Sequence, residues 1–202
     1  MEKKGIFIVF EGLDGSGSST QAGMLIRYLK KFGLKPHLTK EPTNNLIGGL
    51  IRGALTKEWH ASNMCFQLLF SADRAHHLDR EIIPTLNKGT VVISDRYFYS
   101  TIAFGSLDCD KEWLKELNKN FLIPDIVYLI KVPPEVCIDR IGKNRYEFEL
   151  FEEVEKLTKI WKTYEELAEN NPHIHIIDGT KSKETVHEEI IDIMNKYLEQ
   201  NK

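Results

Sequence analysis

The sequence predicts an α/β fold, a five-stranded parallel β-sheet with helices on both faces, and three observations support this. Short runs of consecutive apolar residues, rich in β-branched and aromatic side chains, suit strands buried on both sides. These runs alternate with stretches of helical periodicity, the signature of right-handed β-α-β crossovers. The first run also passes straight into a glycine-rich loop that opens the first helix.

Taken in order, Ile6 to Phe10 is the first strand. A helix from Gln21 places Leu25, Ile26, Leu29 and Phe32 on one face, with Gly33 at a left-handed C-cap. A weaker extended stretch ends at Lys40, before Glu41 and Pro42. The longest helical segment runs from about Ser62 to Leu86, carries Phe66, Leu69, Ala72 and Leu78, and has Pro84 in its last turn. Strands follow at Thr90 to Ser94, Ile126 to Val132 and His173 to Ile177, and Pro133-Pro134 marks the start of a helix. One later helix carries Phe151, Val154, Leu157, Trp161, Tyr164 and Leu167. A final one carries Val186, Ile190, Ile193, Met194 and Tyr197.

At 202 residues and 42% hydrophobic composition the chain is expected to form a single domain over residues 1–202. A net charge of −3 gives no basic field, which argues against a nucleic-acid polymer as partner. Cys65, Cys109 and Cys137 are far apart and outside any CxxC spacing, so neither a disulfide framework nor a zinc site is expected. No run of about 18 apolar residues occurs, so no membrane span is expected and a soluble, cytoplasmic protein is.

The loop Gly12-Leu13-Asp14-Gly15-Ser16-Gly17-Ser18-Ser19-Thr20 sits between strand and helix with the spacing Gly-x₄-Gly-x-Ser of a Walker A phosphate loop. Its backbone N–H groups are suited to surround phosphate oxygens at a helix N-terminus, which makes these nine residues the ATP-binding candidates of a P-loop NTPase-type fold. Ser19 is the candidate Mg²⁺ ligand. The lysine usual at position 18 is replaced by Ser18. A glycine-rich turn without a ligand is the alternative. Beyond the third strand, Asp95 and Arg96 place an acid and a guanidinium at the carboxyl edge of the sheet, where ligands bind in such folds.

At this point the chain resembles the thymidylate kinase family. The segments EGLDGSGSSTQ, KEP, LLFSADRAHH, DRYFYSTIAF and NRYE occur in that order with compatible spacings, and the resemblance covers essentially the whole chain. It implies transfer of the γ-phosphate of ATP to dTMP, with Mg²⁺ as cofactor, and a homodimer formed through helix faces. Asp14 is implied to help hold Mg²⁺ and the acceptor phosphate, Arg96 and Arg52 to grip that phosphate, and Phe70 to stack on thymine. Arg74 is implied to bond the base edge, Thr101 to complete the pocket wall and Phe104 to pack under the sugar. Glu41 and Ser100 fall in the same dTMP-binding set. Asp95 either completes the Mg²⁺ environment or orients Arg96.

Between the fourth strand and the following long helix, Asp139 to Glu147 is a short basic stretch that resembles the family's lid, at about residues 140–149. The resemblance puts Arg140 on the adenine, and Lys143 or Arg145 at the transferred phosphate in place of the loop lysine. Ile177 to Thr180 resembles the adenine loop. The chain also departs from many bacterial relatives, with Lys40 for arginine, Thr43-Asn44-Asn45 for Gly-Gly-Thr and Gly105 for a glutamine that touches thymine. Two other functions stay open, a deoxynucleoside kinase with Glu41 as base and a catalytically weak nucleotide-binding protein.

Overall fold

The computed structural model describes residues 5–142 and 147–200, without the side chains of 147–152. Along the chain come β1 (Phe7–Gly12), α1 (Ser18–Lys31), β2 (His37–Lys40), α2 (Leu46–Leu55) and α3 (Asn63–His77). A π-helical segment (Leu78–Ile82) and α4 (Ile83–Leu86) lead to β3 (Val92–Asp95), α5 (Phe98–Gly105) and α6 (Lys111–Asn118). β4 (Ile126–Lys131), α7 (Pro134–Ile141), α8 (Glu147–Glu169), β5 (Ile174–Asp178) and α9 (Lys183–Gln200) complete it.

The five strands form one sheet in the order β2-β3-β1-β4-β5, with every pairing parallel. All six residues of β1 and the first five of β4 are buried, which requires cover on both faces. α1 packs on β1, β2 and β3 and against α9, while α5 packs on β1 and against α3, α6 and α8. Ile8, Val9 and Phe10 lie at the centre with no exposed surface, each contributing about 1.5–3 kcal/mol by leaving water.

The expected strands lie within two residues of their observed bounds. Three helical expectations change. Phe32 is 66% exposed because α1 closes one residue earlier. Gly33 N–H donates to the Lys30 carbonyl and Leu34 N–H to the Leu29 carbonyl, a Schellman closure that leaves the Phe32 ring at the surface, tilted against Tyr28. Ala72 is exposed, since α3 turns a polar face inward: Gln67, Ser71, Arg74 and His77. The long helix is also interrupted. Pro84 lacks an N–H and its ring crowds the carbonyl four residues back, and the wider π-helical turn at Leu78–Ile82 precedes it.

Candidate active site

β1 ends in the loop, and the loop's conformation explains its glycines. Gly17, at φ 95°, occupies the N-cap of α1 in the left-handed region, and a Cβ at Gly15 would come within 2.5 Å of the Cys137 carbonyl oxygen. Ser18 and Ser19 then open α1. The Ser19 hydroxyl donates to Asp95 Oδ2 at 2.5 Å and that of Ser18 to Oδ1 at 3.4 Å, joining the helix start to the end of β3. The buried Ser16 hydroxyl has no hydrogen-bond partner among the described residues. A cavity of about 490 Å³ lies over the loop, lined by Leu13 to Gln21 together with Arg96, Arg140, Gly179 and Lys183. Arg140 reaches across it, donating to the carbonyls of Gly15, Ser16 and Gly179 at 3.2–3.4 Å.

A second cavity, of about 280 Å³, opens between α3 and α5. Phe70, Arg74, Gln67, Thr101 and Phe104 form part of its wall, with Glu41 and Ser100. Arg74 is 1% exposed. Its Nε donates to Glu41 Oε2 at 2.9 Å, one terminal nitrogen to Asn118 Oδ1 at 2.6 Å and the other to Thr101 Oγ1 at 2.9 Å. The guanidinium also lies 5.3 Å from the Tyr97 ring centroid. Glu41 is clasped by Arg74 and, at 3.1 Å, by His77 Nδ1, so both of its oxygens are engaged. That arrangement disfavours Glu41 as the free base a hydroxyl acceptor needs.

The two cavities meet at Asp14 and Arg96, which line both. Arg96 donates to Asp14 Oδ1 at 2.6 Å and to Ser100 Oγ at 3.0 Å, and its guanidinium lies over the Phe104 ring, 5.2 Å from the centroid. Its backbone holds φ 72°, uncommon for a residue with a side chain, and is fixed by its N–H donating to the Phe10 carbonyl. Burial works against its charge, but Tyr164, Asp14, Glu11 and Asp95 more than offset this and move the pKa upward. Beneath it lies Glu11, fully buried, which accepts from Tyr97 N–H, Ser100 N–H, the Ser100 hydroxyl and the Tyr164 hydroxyl. Burial pushes the Glu11 carboxyl up to about 7, although Arg96 and the donated hydrogen bonds pull the other way.

Of the residues singled out from sequence, Gly12 to Thr20, Asp95, Arg96 and Arg140 gather around the loop, and Glu41, Phe70, Arg74, Ser100, Thr101 and Phe104 around the second cavity. Arg52 lines neither cavity, its guanidinium donating instead to the Thr43 carbonyl. Lys143 and Arg145 lie outside the described residues. Four participants escaped the sequence reading: Glu11, Gln67, Asn118 and Tyr164. Gln67 had a usable signal, since residues 67, 70 and 74 share one helical face at i, i+3 and i+7. Asn118 had none, because its partner Arg74 is 44 positions away.

A family profile described as "Thymidylate kinase" matches residues 10–190. A probable thymidylate kinase of Thermococcus kodakarensis is 41% identical over 202 residues, covering 96% of this chain and 98% of the relative. A thymidylate kinase of Plasmodium falciparum is 39% identical, covering 96% and 92%. Among solved structures, a thymidylate kinase from Ehrlichia chaffeensis superposes with a TM-score of 0.76 at 28% identity, covering 95% of this chain and 99% of that one.

Proposed function

The chain belongs to the thymidylate kinase family, and from that membership we infer that it transfers the γ-phosphate of ATP to dTMP, giving dTDP. The observation that carries this reading is the pair of cavities sharing Asp14 and Arg96. A donor nucleotide over the loop and an acceptor in the second cavity bring their phosphates together at that pair. The acceptor oxygen is already a nucleophile, so positioning and charge stabilisation suffice without a general base.

Arg96, held by Ser100, Phe104 and Asp14, presents a guanidinium fork to the acceptor phosphate. Phe70 stacks on the base, Phe104 lies under the sugar, and Arg74, with its neighbours fixed, keeps a fork hydrogen for the base edge. Arg52 contributes by holding Thr43, one residue beyond Pro42 of the pocket wall. Arg140 and the backbone near Gly179 border the adenine end.

The residues at hand suit Mg²⁺. Among the described residues no cluster of three His, Cys, Asp or Glu forms a cage for a metal, whereas Ser19 and Asp95 supply adjacent hard oxygens, with Asp14 nearby. When bound, the ion supplies charge neutralisation on the transferring phosphate. Lys143 or Arg145, in a lid at about residues 140–149, supplies the cation that Ser18 does not.

The whole of residues 1–202 acts as one kinase domain, in the cytoplasm. No helix among the described residues is long and apolar enough to cross a membrane, and Cys65, Cys109 and Cys137 are free thiols, which supports this reading. A homodimer forms through α2 and α3, where Leu46, Leu50, Met64 and Leu68 are exposed at i, i+4 spacing on two packed helices. A coupled ADP-release assay with dTMP, dUMP, dCMP, UMP and thymidine tests the central reading. The expected result is fastest turnover with dTMP. ATP binding without transfer to any monophosphate would remove it.

A further inference from the structure

Gln67 is buried to 8% exposure, lines the second cavity, and its Oε1 has no hydrogen-bond partner among the described residues. A buried polar atom left in that state costs free energy, so it marks a place where a ligand completes the bonding. The cavity supplies the rest of the context. Gln67 lies one turn before Phe70 and two turns before Arg74 on the same face of α3, so its amide flanks the base platform and the donor that reads the base.

The edge of thymine presents an acceptor at O4, a donor at N3–H and an acceptor at O2. Arg74 carries donors only, so it satisfies an oxygen and leaves N3–H needing an acceptor. Thr101 Oγ1 and both Glu41 oxygens already carry hydrogen bonds. Tyr97 Oη, also buried on the cavity wall without a partner among the described residues, is a phenol that donates more readily than it accepts, whereas the Gln67 amide oxygen can only accept. We propose that Gln67 is a specificity-determining residue whose amide oxygen accepts the N3–H of the acceptor's thymine, so that Arg74 and Gln67 together read the base. This rests on the acceptor assignment above.

Gly105 on α5 makes the arrangement possible. A Cβ there would meet Gln67 Cδ at 3.0 Å, Leu114 Cδ1 at 3.0 Å and Gln67 Oε1 at 3.1 Å, so only glycine leaves the amide in place without a shift. The glycine on α5 and the glutamine on α3 therefore work as a pair.

The test measures dissociation constants of dTMP, dUMP and N3-methyl-dTMP by calorimetry on the full chain, for wild type, Gln67→Met and Gly105→Ala. Steady-state turnover and thermal midpoints accompany them. Gln67→Met keeps the volume and removes the amide. The expected result is roughly 10- to 100-fold weaker binding of dTMP and dUMP, with N3-methyl-dTMP unaffected, because it has no N3–H to lose. Gly105→Ala should weaken dTMP in the same direction by displacing the amide. Equal weakening of all three nucleotides would mean a structural role only and overturn the proposal, as would unchanged dTMP binding. Wild type that binds dTMP with this pattern but transfers no phosphate removes the kinase reading and leaves the Gln67 contact standing. Wild type that does not bind dTMP overturns both.

Discussion

Glu11 lies directly under the arginine that joins the two cavities, and its burial is in tension with its charge. Four donors converge on it, yet desolvation prevails and its carboxyl rises from an ordinary 4.5 to about 7. Between those two values the folded chain holds a proton that the unfolded chain has released. The folded state binds more protons in that window, so stability contributed by Glu11 is present below pH 4.5 and falls as pH rises to about 7, by on the order of 3 kcal/mol. Urea midpoints measured at pH 5 and pH 7 should therefore drop more for wild type than for Glu11→Gln, which stays neutral throughout. At position 18 the matter is one of missing charge. Removing one preorganised donor to a transferring phosphate costs roughly 10²–10³ in rate, so Lys143→Ala or Arg145→Ala should lower kcat by about that factor. Adding Ser18→Lys to the impaired variant should recover part of it, and steady-state kinetics at saturating ATP read the difference.

At the scale of elements, α3 is the instructive case. A helix in a doubly wound fold ordinarily buries an apolar stripe, but α3 buries Gln67, Ser71, Arg74 and His77, and its buried acid, Asp73, accepts from the Thr43 N–H at 2.7 Å and the Thr43 hydroxyl at 2.6 Å. The segment after β2 is thus tied to α3 by hydrogen bonds instead of packing. Asp73→Ala leaves the Thr43 N–H buried and unsatisfied, at a cost of about 1–3 kcal/mol. It should lower the thermal midpoint and raise KM for dTMP, since Glu41 and Pro42 line that cavity, while KM for ATP stays put. The same helix shows how far the sequence could be read. Strands buried on both faces announce themselves as apolar runs, and the phosphate loop announces itself by glycine spacing, so the sheet and the donor cradle were legible. A polar inward face has no periodic hydrophobic signal, and its partners Glu41, Thr101 and Asn118 lie 33, 27 and 44 positions from Arg74. Short α2, α5 and α6 have no counterpart in the sequence reading, and Ala72, one of the apolar residues at helical spacing along α3, is exposed. The resemblance to relatives supplies Arg74 together with Glu41 and Thr101, which hold it, but not Asn118.

At the scale of the whole molecule, leucines and a methionine of α2 and α3 are exposed side by side. Leu46 is 83% exposed, and Leu50 lies one turn on. Placing a charge in such a patch opposes association, so on the proposed assembly wild type sediments as a dimer and Leu46→Glu with Leu50→Glu as a monomer in sedimentation velocity, with the chain still folded by circular dichroism. The strand order carries a different consequence. β1 is central, paired on both sides by β3 and β4, whereas β2 is an edge strand of four residues. Edge elements with few neighbours open at lower free energy than central ones. On the proposed site assignment the cleft is therefore expected to come apart in sequence: the wall of the second cavity, hung from β2 through Lys40 and Glu41, should fray first, and the phosphate loop, suspended from β1, should hold until global unfolding. A partly opened molecule is then expected to keep its grip on ATP after it has lost its grip on dTMP.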